Sequence, residues 1–319
     1  MRGVVERGVN NIFTVRCEEG RYLCRIKGKV LADSNSEYNP LAVGDLVDFM
    51  PVSDTEGLIT ARAPRRNCFQ RWNPKGDANQ TIVANTDLVV CVCSTQSPPF
   101  RPNFVDRVIA CSRNVPVLIL LNKCDQAIDE QSLRRLELYR GLGFQVLSVS
   151  ALTGEGLEVL RGVLRGKTAA FVGQSGVGKS SLVNALTGTV RQKTGDVSEK
   201  YNRGKHTTTA SAMIDAGEFT IIDTPGVREF SVWHDDPLLL QSAFPEFAAY
   251  SPGCLYPGCL HDSEPDCAVK KAVDGGLIDP DRYGSYLRIL DSLKDEKVPL
   301  WQRRTKKEHS NAGKNSQRS

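Results

Sequence analysis

The sequence predicts a multidomain protein with an N-terminal β-barrel, a central α/β domain and a C-terminal helical domain. Three observations support this fold class. Short strand-like segments with turn formers come first, apolar strands alternating with amphipathic helices follow, and clustered cysteines precede a helical stripe near the end. At 319 residues the chain exceeds the usual size of one hydrophobic core, so two or three domains are expected.

The N-terminal region, residues 1–67, is predicted to form an oligonucleotide-binding (OB) barrel. Its segments read "RGVVERG", "IFTVRC", "RYLCRIKG", "GDLVDFMPV" and "GLITARA", with turn formers between them and no helical period. This pattern predicts a small closed sheet, and the OB fold is one well-populated solution. The segments alone fit other small barrels nearly as well.

A basic segment, "ARAPRRNCFQRWNPKGDANQ", breaks the barrel pattern and is predicted to be a linker or a binding edge. It combines the aromatic residues Phe69 and Trp72 with the basic residues Arg62, Arg65, Arg66, Arg71 and Lys75. Bases stack on rings while arginines contact phosphates, so this interleaving favours nucleic acid. The alternative is a solvated hinge.

The central region, residues 68–232, is predicted to be a doubly wound α/β domain. Its near-continuous apolar runs, "DLVVCVC", "VPVLILL", "FQVLSVS", "TAAFVG" and "FTIIDT", are typical of buried parallel strands. In the intervening segment "EGLEVLRGVLRG", Leu157, Leu160 and Leu164 share one helical face. Cys91 and Cys93 lie on the first strand, and we interpret them as core residues and not as a metal pair.

The segment "GQSGVGKSS" matches the phosphate-loop pattern between an apolar strand and a predicted helix. Its glycines let backbone N–H groups curl around phosphates, Lys179 reaches the β and γ oxygens, and Ser180 holds Mg²⁺. The nucleotide-binding residues predicted here are Gly173, Gln174, Ser175, Gly176, Val177, Gly178, Lys179, Ser180 and Ser181.

A second phosphate-facing motif, "DTPG", ends the strand "FTIID". Asp223 would join the Mg²⁺ shell, and the N–H of Gly226 would meet the γ-phosphate. Between the two motifs, "YNRGKHTTTA" is typical of a mobile loop that orders when a threonine joins the γ-phosphate and Mg²⁺. Thr207 and Thr208 are the candidates, with Thr208 taken as the Mg²⁺ ligand, although the pattern does not choose among Thr207, Thr208 and Thr209.

The base-reading motif is "NKCD", in which Asn122, Lys123 and Asp125 follow an apolar strand. A carboxylate at Asp125 can accept two hydrogen bonds from guanine N1–H and N2–H₂, and adenine has no matching donors. "SVSAL" follows the next strand and adds Ser150 and Ala151, whose backbone can meet guanine O6. The motifs therefore predict GTP and GDP as ligands, together with Mg²⁺.

These motifs occur in a rotated order, G4-G5-G1-G2-G3, in which base recognition precedes the phosphate loop. The central domain is therefore predicted to be a circularly permuted GTPase. Permutation is tolerated because domain termini often lie close together and strand-end chemistry does not depend on connectivity.

The C-terminal region, residues 233–295, is predicted to be a zinc-binding helical domain. The stretch "CLYPGCLHDSEPDC" offers three thiolates and an imidazole for one tetrahedral Zn²⁺, from Cys254, Cys259, His261 and Cys267. The ion would supply the local fold. A helical stripe is predicted at Tyr283, Leu287, Leu290 and Leu293. Residues 296–319 form a basic tail that we expect to be disordered alone.

The whole chain resembles the ribosome small subunit-dependent GTPase A family of bacteria. The resemblance covers residues 1–295 and is carried by "NKCD", "SAL", "GQSGVGKSSL", "GKHTTT", "DTPGVREF" and the Cys/His cluster. It implies an OB barrel, a permuted GTPase domain and a zinc domain. It also implies a late assembly factor that binds the immature 30S ribosomal subunit with its 16S rRNA, hydrolyses GTP when stimulated there, and leaves.

The predicted catalytic residues are Lys179, Thr208 and His206. Val227 follows "DTPG" where many GTPases have a water-orienting glutamine. The resemblance implies that His206 serves instead. Hydrolysis by the free protein should therefore be slow.

Composition sets the remaining expectations. The N-terminus lacks a signal peptide and no stretch approaches the roughly 20 apolar residues of a membrane span, so a cytoplasmic monomer without a membrane partner is expected. The ten cysteines are then interpreted as thiols or ligands. Two other functions stay open. A GTP-sensing, RNA-binding translational regulator is one, and a small-molecule kinase is the other, disfavoured because it gains nothing from reading guanine.

Overall fold

The computed structural model describes residues 1–28, 30–31, 37–74, 76–188, 211–226, 231–232 and 236–296. The chain divides into two compact units, Met1–Phe230 and Ser231–Ser319. Within the described ranges, every helix is too short or too polar to cross a membrane.

The first five strands form the predicted barrel. Their order is β1-β2-β3-β5-β4, and pairing of β1 with β4 closes the sheet. The bounds are β1 Arg2–Val9, β2 Ile12–Cys17, β3 Gly20–Ile26, β4 Leu46–Pro51 and β5 Glu56–Arg62. Alternate side chains point inward. The resulting core contains Val5, Phe13, Val15, Cys24, Leu41, Val47, Phe49 and Ile59.

The segment predicted to be a linker or a binding edge contains a β-hairpin of β6, Cys68–Asn73, and β7, Ala78–Ala84. The two prolines that interrupted the sequence pattern, Pro64 and Pro74, lie outside both strands. They therefore do not prevent strand pairing, because proline removes a ladder hydrogen bond only within a strand. The expectation of a solvated hinge is wrong for this segment.

Two side chains of this segment that were predicted to contact nucleic acid lie inside the protein. The Arg65 side chain is 8% exposed, and its Nε and Nη2 donate to the two carboxylate oxygens of Asp45 at 2.7 and 2.8 Å. It also pairs with Glu37 and donates to Thr81 Oγ1 at 2.8 Å. Phe69 is 2% exposed. Both residues are therefore structural, and this part of the prediction is corrected.

The central domain is the expected α/β sheet. Strands β10, β9, β8, β11 and β13 run parallel in that order, and β12 pairs antiparallel with β13. The strands are β8 Leu88–Ser94, β9 Val117–Asn122, β10 Gln145–Ser148, β11 Thr168–Gly173, β12 Ala212–Asp215 and β13 Thr220–Asp223. The helices are α1 Pro102–Ser112, α2 Glu130–Gly141, α3 Leu157–Leu164 and α4 Lys179–Thr187.

Packing in this domain agrees with the apolar patterns. Leu157, Leu160 and Leu164 of α3 are buried against the sheet in the same core as β8 and β11. Cys91 and Cys93 are also buried, with their sulfur atoms 3.9 Å apart, as expected of core residues.

One sheet joins the barrel to the α/β domain. Strand β1 of the barrel pairs antiparallel with β12, in a register that sets Arg7 opposite Ala212. All barrel and α/β strands except β6 and β7 consequently belong to a single 11-stranded sheet. A sequence pattern does not reveal this pairing, because each strand has hydrogen-bonding partners elsewhere.

The described residues of the second unit form 3-10 helices and two α-helices, α5 Ala268–Asp274 and α6 Pro280–Glu296. The 3-10 helices span Pro237–Ala243, Pro245–Phe247 and Ser251–Gly253. The predicted stripe of α6 is partly wrong, because Tyr283 and Leu287 are only half-buried. The buried face is Arg282, Ser285, Tyr286, Ile289, Leu290 and Leu293. Arg282 faces inward because its Nε donates to Glu246 at 2.7 Å.

Candidate functional site

The phosphate loop connects the end of β11 to the first turn of α4. Gly176 and Gly178 have φ angles of 87° and 89°, which favour glycine. A Cβ at Gly173 would lie 2.6 Å from the carbonyl oxygen of Val92 on β8. The glycines of the motif are therefore required by the local backbone and by the packing of β11 against β8.

The Asn122 side chain joins the phosphate loop to the base-reading segments. Its Nδ2 donates to the Val177 carbonyl oxygen at 2.9 Å, and its Oδ1 accepts from the Ala151 N–H at 3.1 Å. Asn122 is only 1% exposed. The structure therefore brings three segments that are distant in sequence to one edge of the sheet and uses this asparagine to hold them.

The neighbouring Lys123 also contacts the phosphate loop. Its Nζ donates to the Gly176 carbonyl oxygen at 2.8 Å and to the carbonyl oxygen of Ser97. Ser97 lies in the loop between β8 and α1, a segment that the motifs did not indicate. Its contribution comes from a backbone oxygen, which no residue pattern could have revealed.

Asp125 is exposed beside these segments and is oriented by Ser150. The Ser150 hydroxyl donates to Asp125 Oδ1 at 2.6 Å and accepts the N–H groups of Leu152 and Thr153 at 3.2 and 3.1 Å. Ser150 is buried, so this orientation is fixed by the protein interior.

Lys179 and Asp223 lie at the phosphate side of the same sheet edge. Their Nζ and Oδ1 atoms are 3.9 Å apart, and the Lys179 side chain is 9% exposed. Burial lowers the pKa of Lys179, and the charge of Asp223 opposes that shift. Gly226 approaches the phosphate loop closely, since a Cβ there would lie 3.3 Å from Ser175 N.

The remaining loop residues of the motif have mixed environments. Val177 is buried in the core beneath the loop. Gln174, Ser180 and Ser181 are half-buried, while Ser175 is exposed. The predicted residues His206, Thr207, Thr208 and Thr209, with Val227, lie outside the described residues.

A second cluster in the C-terminal unit contains Cys254, Cys259, His261 and Cys267. Their potential ligand atoms all lie within 4.8 Å of one another. A tetrahedral zinc with bonds of about 2.3 Å to sulfur and about 2.0 Å to nitrogen sets its ligand atoms roughly 3.5–3.8 Å apart. Cys254 Sγ lies 3.8 Å from Cys267 Sγ and 3.5 Å from His261 Nδ1, which agrees with that geometry.

The protonation of this cluster also fits a metal. Burial lowers the pKa of His261, which keeps the imidazole neutral. Burial raises the pKa of the Cys254 thiol, but the N–H groups of Val269 and Ala268 outweigh it and leave the pKa below its usual value. Burial raises the pKa of the Cys259 thiol to about 12, and a bound cation would lower it.

Comparisons with known proteins identify the family. The RsgA GTPase family model matches residues 62–233, and the RsgA N-terminal domain model matches residues 2–59. The small ribosomal subunit biogenesis GTPase RsgA of Borreliella burgdorferi is 40% identical over 294 residues, which cover 91% of this chain and 95% of the relative. The chain belongs to the RsgA GTPase family.

Two solved structures agree with the fold. YjeQ from Thermotoga maritima matches with a TM-score of 0.66 and 30% identity, over 92% of this chain and 98% of that one. YloQ, described as a circularly permuted GTPase, matches with a TM-score of 0.66 and 25% identity, over 94% and 96% of the two chains. As an RsgA family member the chain is a GTP hydrolase, and the predicted family, fold class and enzyme type are confirmed.

Proposed function

We propose that this GTPase acts in maturation of the small ribosomal subunit, binds that subunit in its GTP form, and hydrolyses GTP faster when bound. One observation carries the enzymatic part. The base-reading, phosphate-loop and "DTPG" segments converge at one sheet edge in permuted order, where Asn122 joins the base-reading segments to the phosphate loop and Asp223 lies beside Lys179. The ribosomal part is supported by relatives named small ribosomal subunit biogenesis GTPase, which align with most of the chain.

In the proposed substrate complex, the phosphates of GTP lie in the phosphate loop at the N-terminus of α4. Backbone N–H groups of residues 174–180 would donate to them, and the ammonium of the buried Lys179 would contact the β and γ oxygens. Ser180 and Asp223 offer the hard oxygen ligands that Mg²⁺ prefers. The ion would neutralise charge on the transferred phosphoryl group.

Base selection is assigned to Asp125. Its carboxylate would accept guanine N1–H and N2–H₂, while Ser150 orients the group by donating to Oδ1. The backbone N–H of Ala151 is already held by Asn122, so we assign Ala151 to loop positioning as well as to the O6 side of the base. Lys123 would support the phosphate loop through Gly176.

Hydrolysis is assigned to residues of the segment after the phosphate loop. We propose that His206 orients the attacking water, that Thr208 completes the Mg²⁺ shell, and that Thr207 contacts the γ-phosphate. Val227 has no hydrogen-bonding group with which to replace the usual glutamine. Slow hydrolysis by the free protein follows, because the bound subunit would have to position His206 against the attacking water.

Zinc is the metal proposed for the Cys254, Cys259, His261 and Cys267 cluster, at one ion per chain. The fit rests on the chemistry and spacing of the four donors. The ion would draw together a stretch that has little regular secondary structure of its own, from Cys254 to the start of α5.

We propose that the protein is a cytoplasmic monomer. Its barrel would be the main surface that contacts 16S rRNA. Arg7 is exposed on β1, and Arg25 and Lys27 are exposed at the end of β3. Arg71 of the β6–β7 hairpin is half-buried and held by Gln80 Oε1 at 3.0 Å. The exposed Arg7, Arg25 and Lys27 would contribute a salt-dependent affinity for phosphates.

Co-sedimentation with purified ribosomal subunits tests the proposal. The protein loaded with a non-hydrolysable GTP analogue should pellet with 30S subunits, and the GDP-loaded protein should largely remain in the supernatant. Raising the salt concentration should weaken binding. Equal recovery on 30S and 50S subunits, or recovery that ignores the bound nucleotide, would contradict the proposed function. A translational regulator would instead associate with translating ribosomes and leave 30S maturation intact in its absence.

A further inference from the structure

The two ring nitrogens of His261 have different surroundings. Nδ1 lies 3.5 Å from Cys254 Sγ and 3.3 Å from Cys267 Sγ, inside the ligand cluster. Nε2 lies outside it, 3.2 Å from the side-chain oxygen of Gln241. Only Nδ1 can therefore reach an ion shared with the cysteines, and Nε2 is left to carry the ring proton.

We propose that Gln241 is a positioning residue for the metal, because its amide selects the His261 tautomer that exposes Nδ1 to zinc. This inference rests on the zinc assignment of the proposed function. A ligating imidazole usually donates its other N–H to an oxygen, which fixes both the tautomer and the ring orientation. Gln241 Oε1 is the acceptor in that position.

The opposite end of the same amide holds a second ligand residue. Gln241 Nε2 donates to the Cys259 carbonyl oxygen at 2.7 Å. Rotating the amide by half a turn would bring its oxygen against that carbonyl oxygen and its NH₂ group against the Nε2–H of His261, and both contacts would be repulsive. The two partners thus define which end of Gln241 faces the imidazole. One side chain fixes two of the four ligand residues.

The surrounding structure fixes Gln241 and the imidazole in turn. Gln241 belongs to the 3-10 helix Pro237–Ala243, in which Leu240 is buried and Asp236 caps the N-terminus by accepting from Leu238 N at 3.0 Å. The Phe247 ring packs edge-on against His261 with ring centroids 5.5 Å apart. Gln241 precedes the Cys/His stretch in sequence, so ligand spacing could not have indicated it.

Three variants separate this role from a general structural one. Gln241→Ala removes both amide contacts, and zinc affinity should fall by about 10–100-fold, the usual effect of losing such a partner. Gln241→Glu keeps an acceptor for Nε2–H but sets a carboxylate oxygen against the Cys259 carbonyl oxygen, so its zinc affinity should lie between those of Gln241→Ala and the wild type. Ser242→Ala is the matched control, since the Ser242 hydroxyl donates to Leu239 O and contacts no ligand residue.

The experiment combines chelator competition for zinc with long-range ¹H–¹⁵N NMR of the histidines in the full-length zinc-bound protein. The expected spectrum has His261 ligated through Nδ1 and protonated at Nε2. Ligation through Nε2, or a Gln241→Ala variant that holds zinc as tightly as Ser242→Ala, would overturn the inference. If the purified wild-type protein bound no zinc, the metal assignment itself would be overturned. GTP hydrolysis is measured separately, so the proposed GTPase function is tested independently of the zinc site.

Discussion

Replacing Asn122 with alanine tests whether one buried side chain assembles the nucleotide site. The substitution removes two hydrogen bonds and leaves the Val177 carbonyl and the Ala151 N–H without their side-chain partner. A buried polar group that loses its partner costs about 1–3 kcal/mol. Because Asn122 Nδ2 also packs against Gly178, where a Cβ would lie 2.3 Å away, the smaller residue leaves a gap beneath the phosphate loop.

The summed cost for the two groups is about 2–6 kcal/mol, shared between folding and nucleotide binding. At about 1.4 kcal/mol per tenfold, a binding share of half weakens GDP affinity by roughly 5–150-fold. Titration with a fluorescent GDP analogue measures the loss of affinity, and denaturant unfolding measures the loss of folding free energy. Asn114→Ala, at an exposed turn before β9, is the control. If Asn122→Ala and the control had the same GDP affinity and the same free energy of unfolding, the bridging role would be refuted.

Four further predictions follow from the two sites and the barrel. Asp125→Asn should shift preference from guanine to xanthine nucleotides, whose 2-oxo group replaces a donor with an acceptor; a competition titration in which GTP stays preferred would contradict this. Lys179→Ala should nearly abolish multiple-turnover hydrolysis while the circular dichroism spectrum is retained, and normal turnover would count against the assignment. Elemental analysis should find one zinc per wild-type chain and a loss of zinc in Cys254→Ser; equal zinc in both proteins would remove Cys254 from the ligand set. Arg65→Met should destabilise the protein by about 3–5 kcal/mol in denaturant unfolding, because Asp45 would be left as an uncompensated buried charge. Arg134→Met, which removes an exposed ion pair with Glu130 on α2, should lower the free energy of unfolding by less than about 1 kcal/mol. Similar losses of stability in the two variants would contradict the buried pairing of Arg65.

The sequence was sufficient for features with a local cause. Phosphate binding requires glycine at fixed positions beside lysine and serine, and buried parallel strands require continuous apolar runs, so both could be predicted. The thiolates and imidazole near Cys254 were recognisable for the same reason, because ligand chemistry limits their spacing.

Features that depend on distant partners could not be predicted in this way. From the sequence alone, Arg65 is expected to be a solvent-exposed cation. Its burial becomes evident only when Asp45 and Glu37 are placed beside it. Arg282 interrupts the apolar stripe of α6, yet it is buried because Glu246 meets it from another segment. The pairing of β1 with β12 and the role of Gln241 also depend on partners that are distant in sequence. In each case a contact between segments decides the role of the residue.

Steady-state phosphate release with purified 30S subunits, with 50S subunits and without ribosomes tests the proposed function most directly. We expect 30S subunits to raise the kcat for GTP by at least about tenfold, which corresponds to roughly 1.4 kcal/mol of barrier, with little change in GTP affinity. His206→Ala should lose most of this stimulation and still bind 30S subunits in the GTP form, because it removes chemistry and leaves the basic contacts. Equal turnover under all three conditions would contradict the account and leave a GTPase whose activator is not the small subunit.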